Sequence, residues 1–339
     1  MNIVWYWTLA AMLTAYAVLD GFDLGVGAVH RWITRSEHDR RVALNAIGPI
    51  WNANEVWLIA AGGMMVPTFP RLYAASFSGF YLALMLVLWL LILRGISIEF
   101  RGQIDNPLWK NLWDTGFCIS SLLLTILLGV ALGNVVRGLP IGQDGYFQGT
   151  FALLLNPYSL FTGMLSVAVL AWHGVNYLRL KVEGELSGRA QRWSRILAPV
   201  ATVTVVTATI ATFTVRPGSG SNFAAHPVLI IFPLLIVVGL VGGILSRDEN
   251  HDRLAFRSSM LVIIALMGSA ASTVYPNLLT SSLDPAYSLN AYNAASSPSA
   301  LRASFIANIV GMIGVIIYTA YVHRTFRGKV SLQSAGHGY

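Results

Sequence analysis

Residues 19–27, with the sequence LDGFDLGVG, decide how the N-terminal part of this chain folds. Two carboxylic acids, Asp20 and Asp23, lie in an apolar run that is long enough to cross a membrane. Because they are three residues apart, they share one face of a helix. Gly21 and Gly25 form a small-xxx-small pair, which lets a second helix approach closely. The stretch predicts a packed membrane helix with carboxyl groups on one side.

The composition of the whole chain agrees with a membrane protein. Of the 339 residues, 55% are hydrophobic and 11% are charged, whereas soluble domains carry about 25% charged residues. Mean hydropathy is +0.62. These values exclude a soluble globular enzyme, a disordered chain and a collagen-like fibre, and they argue against nucleic acid as a partner. The net charge of +7 is interpreted as an orientation signal.

Nine segments are long and apolar enough to span a bilayer, which takes about 20 residues each. The predicted fold class is an all-α polytopic membrane protein, with a single integral domain over residues 1–339. Spans one to four and five to eight are grouped as two four-helix bundles, with the ninth helix peripheral. The predicted spans are 4–28, 46–66, 73–94, 112–136, 152–178, 195–215, 227–246, 257–278 and 303–323.

The basic residues alternate between the loops on the two sides of these spans. Eighteen of the 22 Lys and Arg residues fall on one side. The remaining four are Arg71, Arg137, Arg216 and Arg302. Under the positive-inside rule, the N-terminus lies outside and the C-terminus in the cytoplasm. The first apolar segment has no basic region before it and is interpreted as a retained helix.

Cysteine and histidine give no sign of a metal or haem site. Cys118 is the single cysteine, so intramolecular disulfides and cysteine clusters are excluded. A membrane cytochrome needs several His or Met ligands deep in facing helices. Only His173 lies well inside a predicted span, and we interpret it as a hydrogen-bonded histidine. We expect this chain to supply no haem ligand and no metal ligand.

The second predicted span opens with WNANEVW, residues 51–57. Asn52 and Glu55 are three residues apart and are expected to face the same way. Two interpretations remain for Glu55 and for Asp23: each is a proton-carrying group, or each is an acid held by a hydrogen bond to a neighbouring helix. For Asp20 the structural interpretation is favoured.

Other polar groups near the ends of spans have simpler interpretations. Glu99 lies close in sequence to Arg94 and Arg101 and is expected to pair with one of them. Asp114 is placed at the start of the fourth span, where the helix dipole stabilises a carboxylate. Asn134 and Asn156 are expected to form hydrogen bonds between helices.

These motifs together resemble one family, subunit II of cytochrome bd-type quinol oxidases, including the cyanide-insensitive branch. The resemblance runs from the first span to the ninth, and the first two motifs are its most specific part. The matching stretches are residues 20–27, 51–58, 75–81, 113–114, 129–134, 155–158, 275–277 and 293–297.

The resemblance implies a function that the residues alone do not show. Such oxidases transfer electrons from quinol to O2 in a bacterial plasma membrane and build a proton gradient. Haems b and d, or b only, lie in subunit I together with the quinol site. Subunit II binds no haem, packs against subunit I and can help deliver cytoplasmic protons. Some members hold a structural quinone, and some complexes have a small accessory subunit.

The resemblance assigns the positions of the family's proton route to individual residues of this sequence. Asn52 stands where the family often has an acid, and an amide cannot titrate. Glu55, one helical turn on, is expected to compensate. Glu99 corresponds to an acid near the cytoplasmic mouth of the route, Gln103 stands where some relatives have a lysine, and Asp23 matches a family acid.

Two alternatives remain beside a proton-delivering oxidase subunit. Residue chemistry without the resemblance favours a proton-coupled secondary transporter that uses Asp23 and Glu55, because acids inside a membrane mark transporters. A subunit II that only supports subunit I is the other alternative, and Asn52 favours it.

Overall fold

Long helices make up most of the computed structural model, which describes residues 1–246, 248 and 251–330. One short antiparallel pair joins β1 (Asn277–Leu279) to β2 (Leu289–Asn290). The helices are α1 (Asn2–Ile33), α2 (Glu37–Ile47), α3 (Trp51–Thr68), α4 (Pro70–Gly79), α5 (Tyr81–Phe100), α6 (Pro107–Arg137), α7 (Phe151–Leu154), α8 (Pro157–Lys181), α9 (Gly184–Val215), α10 (Ser221–Ala225), α11 (Ile231–Leu245), α12 (Asp252–Val274) and α13 (Pro298–Thr325).

Within the described residues, eight helices are long and apolar enough to cross a membrane. Each of them overlaps one of the nine predicted spans, so the chain is a multi-pass membrane protein. The second predicted span, 46–66, corresponds to none of these eight helices. It contains the end of α2, a turn and most of α3, which begins with the polar residues Asn52, Asn54 and Glu55. The third, 73–94, is interrupted at Phe80, between α4 and α5. The count of nine and the orientation stay predictions, and Arg247, one of the counted cations, lies outside the described residues.

Helix α1 lies at the centre and packs on α3, α6, α8 and α12. Its predicted small-residue face is confirmed at Gly25. A Cβ atom there would collide with the backbone of α8 at Leu170 and Gly174, and a Cβ on Gly174 would collide with Gly25 in turn. The two glycines therefore allow the backbones of α1 and α8 to touch, which holds Asp20 and Asp23 in the interior.

Polar side chains also fix the starts of helices. Asn156 caps α8 by accepting a hydrogen bond from Ser159 N at 3.0 Å. Its Nδ2 atom donates to Asn134 Oδ1 on α6 at 2.9 Å, which confirms the prediction that the two asparagines form hydrogen bonds between helices. Helix α13 packs mainly on α3, where Trp57 Nε1 donates to Thr319 Oγ1 at 3.4 Å.

Candidate functional site

Five buried or partly buried polar side chains from three helices meet beside α1. They are contributed by α1, by the first turn of α3 and by the last part of α5, and we call them the Arg94 cluster. Its members are Asp20, Asp23, Asn54, Glu55 and Arg94. The i, i+3 spacing on α1 and the adjacent positions on α3 bring them together.

Arg94 is the only cation of the Arg94 cluster and is fully buried. Its Nη1 atom donates to Asp20 Oδ1 at 2.7 Å, so this pair is both ionic and hydrogen-bonded. Its Nη2 atom lies 3.6 Å from Glu55 Oε1, which is an ion-pair distance. The Glu55 side chain keeps 15% of its surface exposed. Glu55 is therefore the carboxyl group of the cluster that is open to the surface.

Asp23 is held by an amide instead of a cation. Asn54 Nδ2 donates to Asp23 Oδ2 at 2.7 Å, and both side chains are buried. Since the Asn54 amide nitrogen is the donor, its oxygen must be an acceptor. That oxygen lies 2.9 Å from Nε2 of His323 on α13, so Nε2 of this histidine carries the hydrogen. Oδ1 of Asp23 has no hydrogen-bond partner among the described residues.

The charges of the Arg94 cluster do not balance. Asp20 and Glu55 lie within ion-pair distance of the one guanidinium, whereas Asp23 is held by the Asn54 amide. The pair with Asp20 already uses the positive charge of Arg94. Burying an unpaired carboxylate away from water is strongly unfavourable. A proton bound to Asp23 or Glu55 removes that cost, so the arrangement is suited to taking up and releasing protons.

A second group of charges, the Asp114 cluster, lies at the end of α1 that carries His30. It gathers His30, Glu37, Arg40, Arg101, Asp105, Lys110 and Asp114. Asp114 Oδ1 lies 2.9 Å from His30 Nε2 and 2.6 Å from Arg101 Nε. Arg101 also binds both oxygens of Glu37, at 3.1 and 2.8 Å.

The Asp114 cluster is balanced in charge, with three carboxylates and three Arg or Lys cations. The sequence prediction for Asp114 is wrong in its detail. Helix α6 begins at Pro107 and is capped by Asn106, so Asp114 lies about two turns inside the helix and not at its start. Its carboxylate is stabilised by His30 and Arg101 and not by the helix dipole.

Three of the predicted proton-route residues stand apart from both clusters. Asn52, Glu99 and Gln103 are exposed on the surface of this chain. Glu99 pairs with neither Arg94 nor Arg101 among the described residues, because Asp20 and Asp114 occupy these guanidinium groups. Gln103 Nε2 donates to the backbone oxygen of Glu99 at 3.4 Å, so these two residues are neighbours. Of the predicted route residues, only Asp23 and Glu55 lie in the Arg94 cluster.

Sequence reasoning missed several partners. These are His30, Glu37 and His323, each of which contacts one of the two clusters. A signal existed for His30, because it follows Asp23 by seven residues and so lies on the same face of α1. No comparable signal exists for His323, which lies 269 residues from Asn54.

The histidine deepest in a predicted span does not fit a haem ligand. His173 Nδ1 lies 2.8 Å from Ser259 Oγ, and its Nε2 lies 3.1 Å from the backbone oxygen of Val18. Both ring nitrogens are thus engaged within the protein, as predicted for a hydrogen-bonded histidine. The described residues also contain no group of three or more His, Cys, Asp or Glu side chains that could hold a metal ion.

Comparison with known proteins points to one family. The model for cytochrome bd terminal oxidase subunit II matches residues 1–326. The chain is 33% identical to a probable cytochrome oxidase subunit 2 of Haemophilus influenzae, covering 97% of this chain and 95% of that protein. It is 32% identical to the cytochrome bd-I ubiquinol oxidase subunit 2 of Escherichia coli K12, with coverages of 98% and 95%.

A solved structure supports the same fold. A chain of the bd oxidase from Geobacillus thermodenitrificans matches with a TM-score of 0.75 at 17% sequence identity. The match covers 96% of this chain and 98% of that one. At this level of identity, the likeness concerns the arrangement of the helices.

Proposed function

This chain belongs to the cytochrome bd terminal oxidase subunit II family, and from that membership we propose that it is the haem-free subunit of a terminal quinol:O2 oxidoreductase. Its homologues are subunits of cytochrome bd quinol oxidase, so it works as part of an oxidoreductase complex. The isolated chain is not catalytic in this proposal. Membership of the family favours this function over a proton-coupled transporter.

The proposed partner is a haem-bearing subunit I, which also contains the quinol site. Haems b and d, or b only, belong to that subunit, and this chain supplies no ligand to them. The engagement of both His173 nitrogens agrees with that division of labour. A structural quinone and a small accessory subunit complete the proposed assembly.

The proposed topology has nine spans, with the N-terminus outside and the C-terminus in the cytoplasm of a bacterium, in its plasma membrane. It includes α3 as the second crossing segment and the grouping into two four-helix bundles plus α13. Helix α5 exposes several large apolar side chains, which suit contact with subunit I or lipid. They are Leu82, Leu86, Leu88, Trp89 and Ile92.

The Arg94 cluster supports a role in proton delivery. Its single guanidinium cannot neutralise three carboxyl groups, so a proton is held at Asp23 or Glu55 and can be passed on. Glu55 is the partly exposed member and is the proposed exchange point with the partner subunit. Asn52, Glu99 and Gln103 are proposed to line water on the surface that subunit I covers, where an amide can orient water without titrating.

The test is a substitution at Glu55 in the complex with subunit I. Glu55→Gln keeps the shape and hydrogen bonding of the side chain but cannot titrate. We expect normal assembly and haem absorbance, with O2 consumption and interior proton uptake reduced about tenfold or more. Glu55→Asp is the matched control and is expected to retain most of the activity.

The same variants also distinguish proton delivery from the alternative that this subunit only supports subunit I. If the Glu55→Gln and Asp23→Asn complexes both assemble and turn over like the wild type, this subunit only supports subunit I. A haem spectrum from this chain purified alone would contradict the haem-free assignment.

A further inference from the structure

A cavity of about 740 Å³ lies at the end of the bundle where α8 and α13 finish and α12 begins. This volume is in the range of small-molecule and cofactor sites, about 300–1,000 Å³. The cavity is separate from the Arg94 cluster, although His323 lines it and also contacts Asn54. No step of the proposed proton delivery uses it.

The inner wall of the cavity is apolar. It is formed by side chains of α1 and α12, notably Leu19, Phe22, Phe256 and Met260. Phe22 stacks on Tyr177 with ring centroids 4.0 Å apart, so this wall is well packed. Such a surface suits hydrocarbon chains.

The outer rim is basic. Lys181, Arg253, Arg327 and Lys329 line it and come from α8, from α12 and from the segment that follows α13. Gly328 has a φ of 104°, which lets this segment turn, and Lys181 Nζ donates to the backbone oxygens of Phe326 and Gly328. The turn places two of the cations at the mouth of the cavity.

Two acids near the rim have partners among the residues that the structure describes. Asp252 pairs with Arg179 at 2.8 Å, and Glu183 lies 3.6 Å from Lys329. Arg253 and Arg327 are exposed. Among the described residues, Lys181, Arg253 and Arg327 therefore give the rim a surplus of positive charge above an apolar interior.

We propose that this cavity binds one anionic phospholipid, with its phosphate at the basic rim and its acyl chains along the apolar wall. Basic pockets between membrane helices on the cytoplasmic side bind anionic headgroups in this way. The rim cations belong to the side that the sequence assigns to the cytoplasm. A neutral quinone would leave these cations unpaired, and a free phosphate would leave the apolar wall uncovered.

The experiment is native mass spectrometry of the complex with subunit I, purified in mild detergent. Phosphatidylglycerol and phosphatidylcholine of equal chain length are added in parallel titrations, with inorganic phosphate as a third arm. We expect one phosphatidylglycerol to be retained more tightly than phosphatidylcholine, and millimolar phosphate not to displace it.

Two variants test the location of the site. Combined R253Q, R327Q and K329Q substitutions are expected to weaken phosphatidylglycerol binding on the order of a hundredfold, at about fivefold for each cation. Met260→Trp fills the cavity without changing charge and is expected to abolish retention. Arg257→Gln, one turn further along α12 and outside the lining, is the matched control and is expected to change nothing.

Several results would overturn the proposal. These are equal retention of the two lipids, displacement by inorganic phosphate alone, a bound quinone in place of the lipid, or unchanged binding in both variants. If the triple variant does not assemble, lipid retention by the Met260→Trp complex tests the location of the site by itself.

Discussion

The Arg94 cluster and the Asp114 cluster use the same chemistry with opposite charge balance. Both pair buried guanidinium groups with carboxylates of neighbouring helices, at 2.7 Å for Arg94–Asp20 and 2.6 Å for Arg101–Asp114. The Asp114 cluster has as many Arg and Lys cations as carboxylates, whereas the Arg94 cluster has three carboxyl groups and one cation. From this difference we propose that the Asp114 cluster holds helices together and that the Arg94 cluster holds protons.

The largest expected effect is the loss of the one cation in the Arg94 cluster. Arg94→Gln leaves the Asp20 carboxylate buried without its partner, which destabilises a protein by about 3–5 kcal/mol. We expect little assembled complex, measured as haem absorbance in purified membranes. Adding Asp20→Asn to Arg94→Gln removes the orphaned charge and is expected to restore part of the assembly. Wild-type yield from Arg94→Gln alone would contradict the proposed pairing.

Substitutions in the Asp114 cluster are expected to affect assembly but not turnover. Asp114→Asn removes the negative charge that His30, Arg40 and Arg101 share, and leaves Arg101 with Glu37 as its only anionic partner, a loss of about 3 kcal/mol. Thermal unfolding of the purified complex measures this loss. O2 consumption for each assembled complex is expected to stay near the wild-type value.

Asp105 offers a control for that experiment. Its side chain is 97% exposed although it pairs with Lys110 at 2.6 Å. Because exposed ion pairs contribute little, Asp105→Asn is expected to leave both stability and turnover unchanged. If Asp114→Asn slowed turnover as much as Glu55→Gln does, the two clusters would not differ in function.

Asn54 tests whether the position of Asp23 in the Arg94 cluster matters, because its side chain links Asp23 to His323. Asn54→Leu leaves a buried carboxyl oxygen and a histidine N–H without partners, which costs about 1–3 kcal/mol. We expect a moderate fall in unfolding temperature together with slower O2 consumption. His323→Leu removes only the outer hydrogen bond and is expected to have a smaller effect on both measurements. An Asn54→Leu complex with wild-type turnover would show that the position of Asp23 is unimportant.

The smallest effect concerns a carboxylate outside the membrane-spanning segments. Burial by itself would raise the pKa of Asp39, but hydrogen bonds from Arg35 N and Ser36 N and the nearby Arg189 outweigh it and hold the pKa below its usual range. Asp39 therefore stabilises the fold above about pH 4, and this contribution is lost as the pH falls through the lowered pKa.

Unfolding temperatures at several pH values test this account of Asp39. The wild type is expected to exceed Asp39→Asn by about 1 kcal/mol of unfolding free energy at neutral pH. The difference is expected to shrink below about pH 4. A difference that stays constant into acid would show that the charge of Asp39 is not responsible.

Local spacing predicted the parts of the site that lie on one helix. The shared face of Asp20 and Asp23 and the close approach at Gly25 followed from helical periodicity. The partners could not be predicted in the same way, because Arg94 lies 74 residues from Asp20 and 39 residues from Glu55 along the chain. The spacing of Glu99 from Arg94 and Arg101 suggested a pairing. In the folded chain, however, both arginines pair with buried acids on other helices.

Infrared difference spectroscopy of the assembled complex tests the central claim most directly, because a protonated carboxyl group has its own C=O absorption. We expect the reduced-minus-oxidised spectrum to contain a carboxyl signal that disappears or shifts in Asp23→Asn or Glu55→Gln. The same signal is expected to remain in Asp114→Asn or, if that variant does not assemble, in Glu37→Gln. A signal identical in all these variants would show that the Arg94 cluster holds no exchangeable proton.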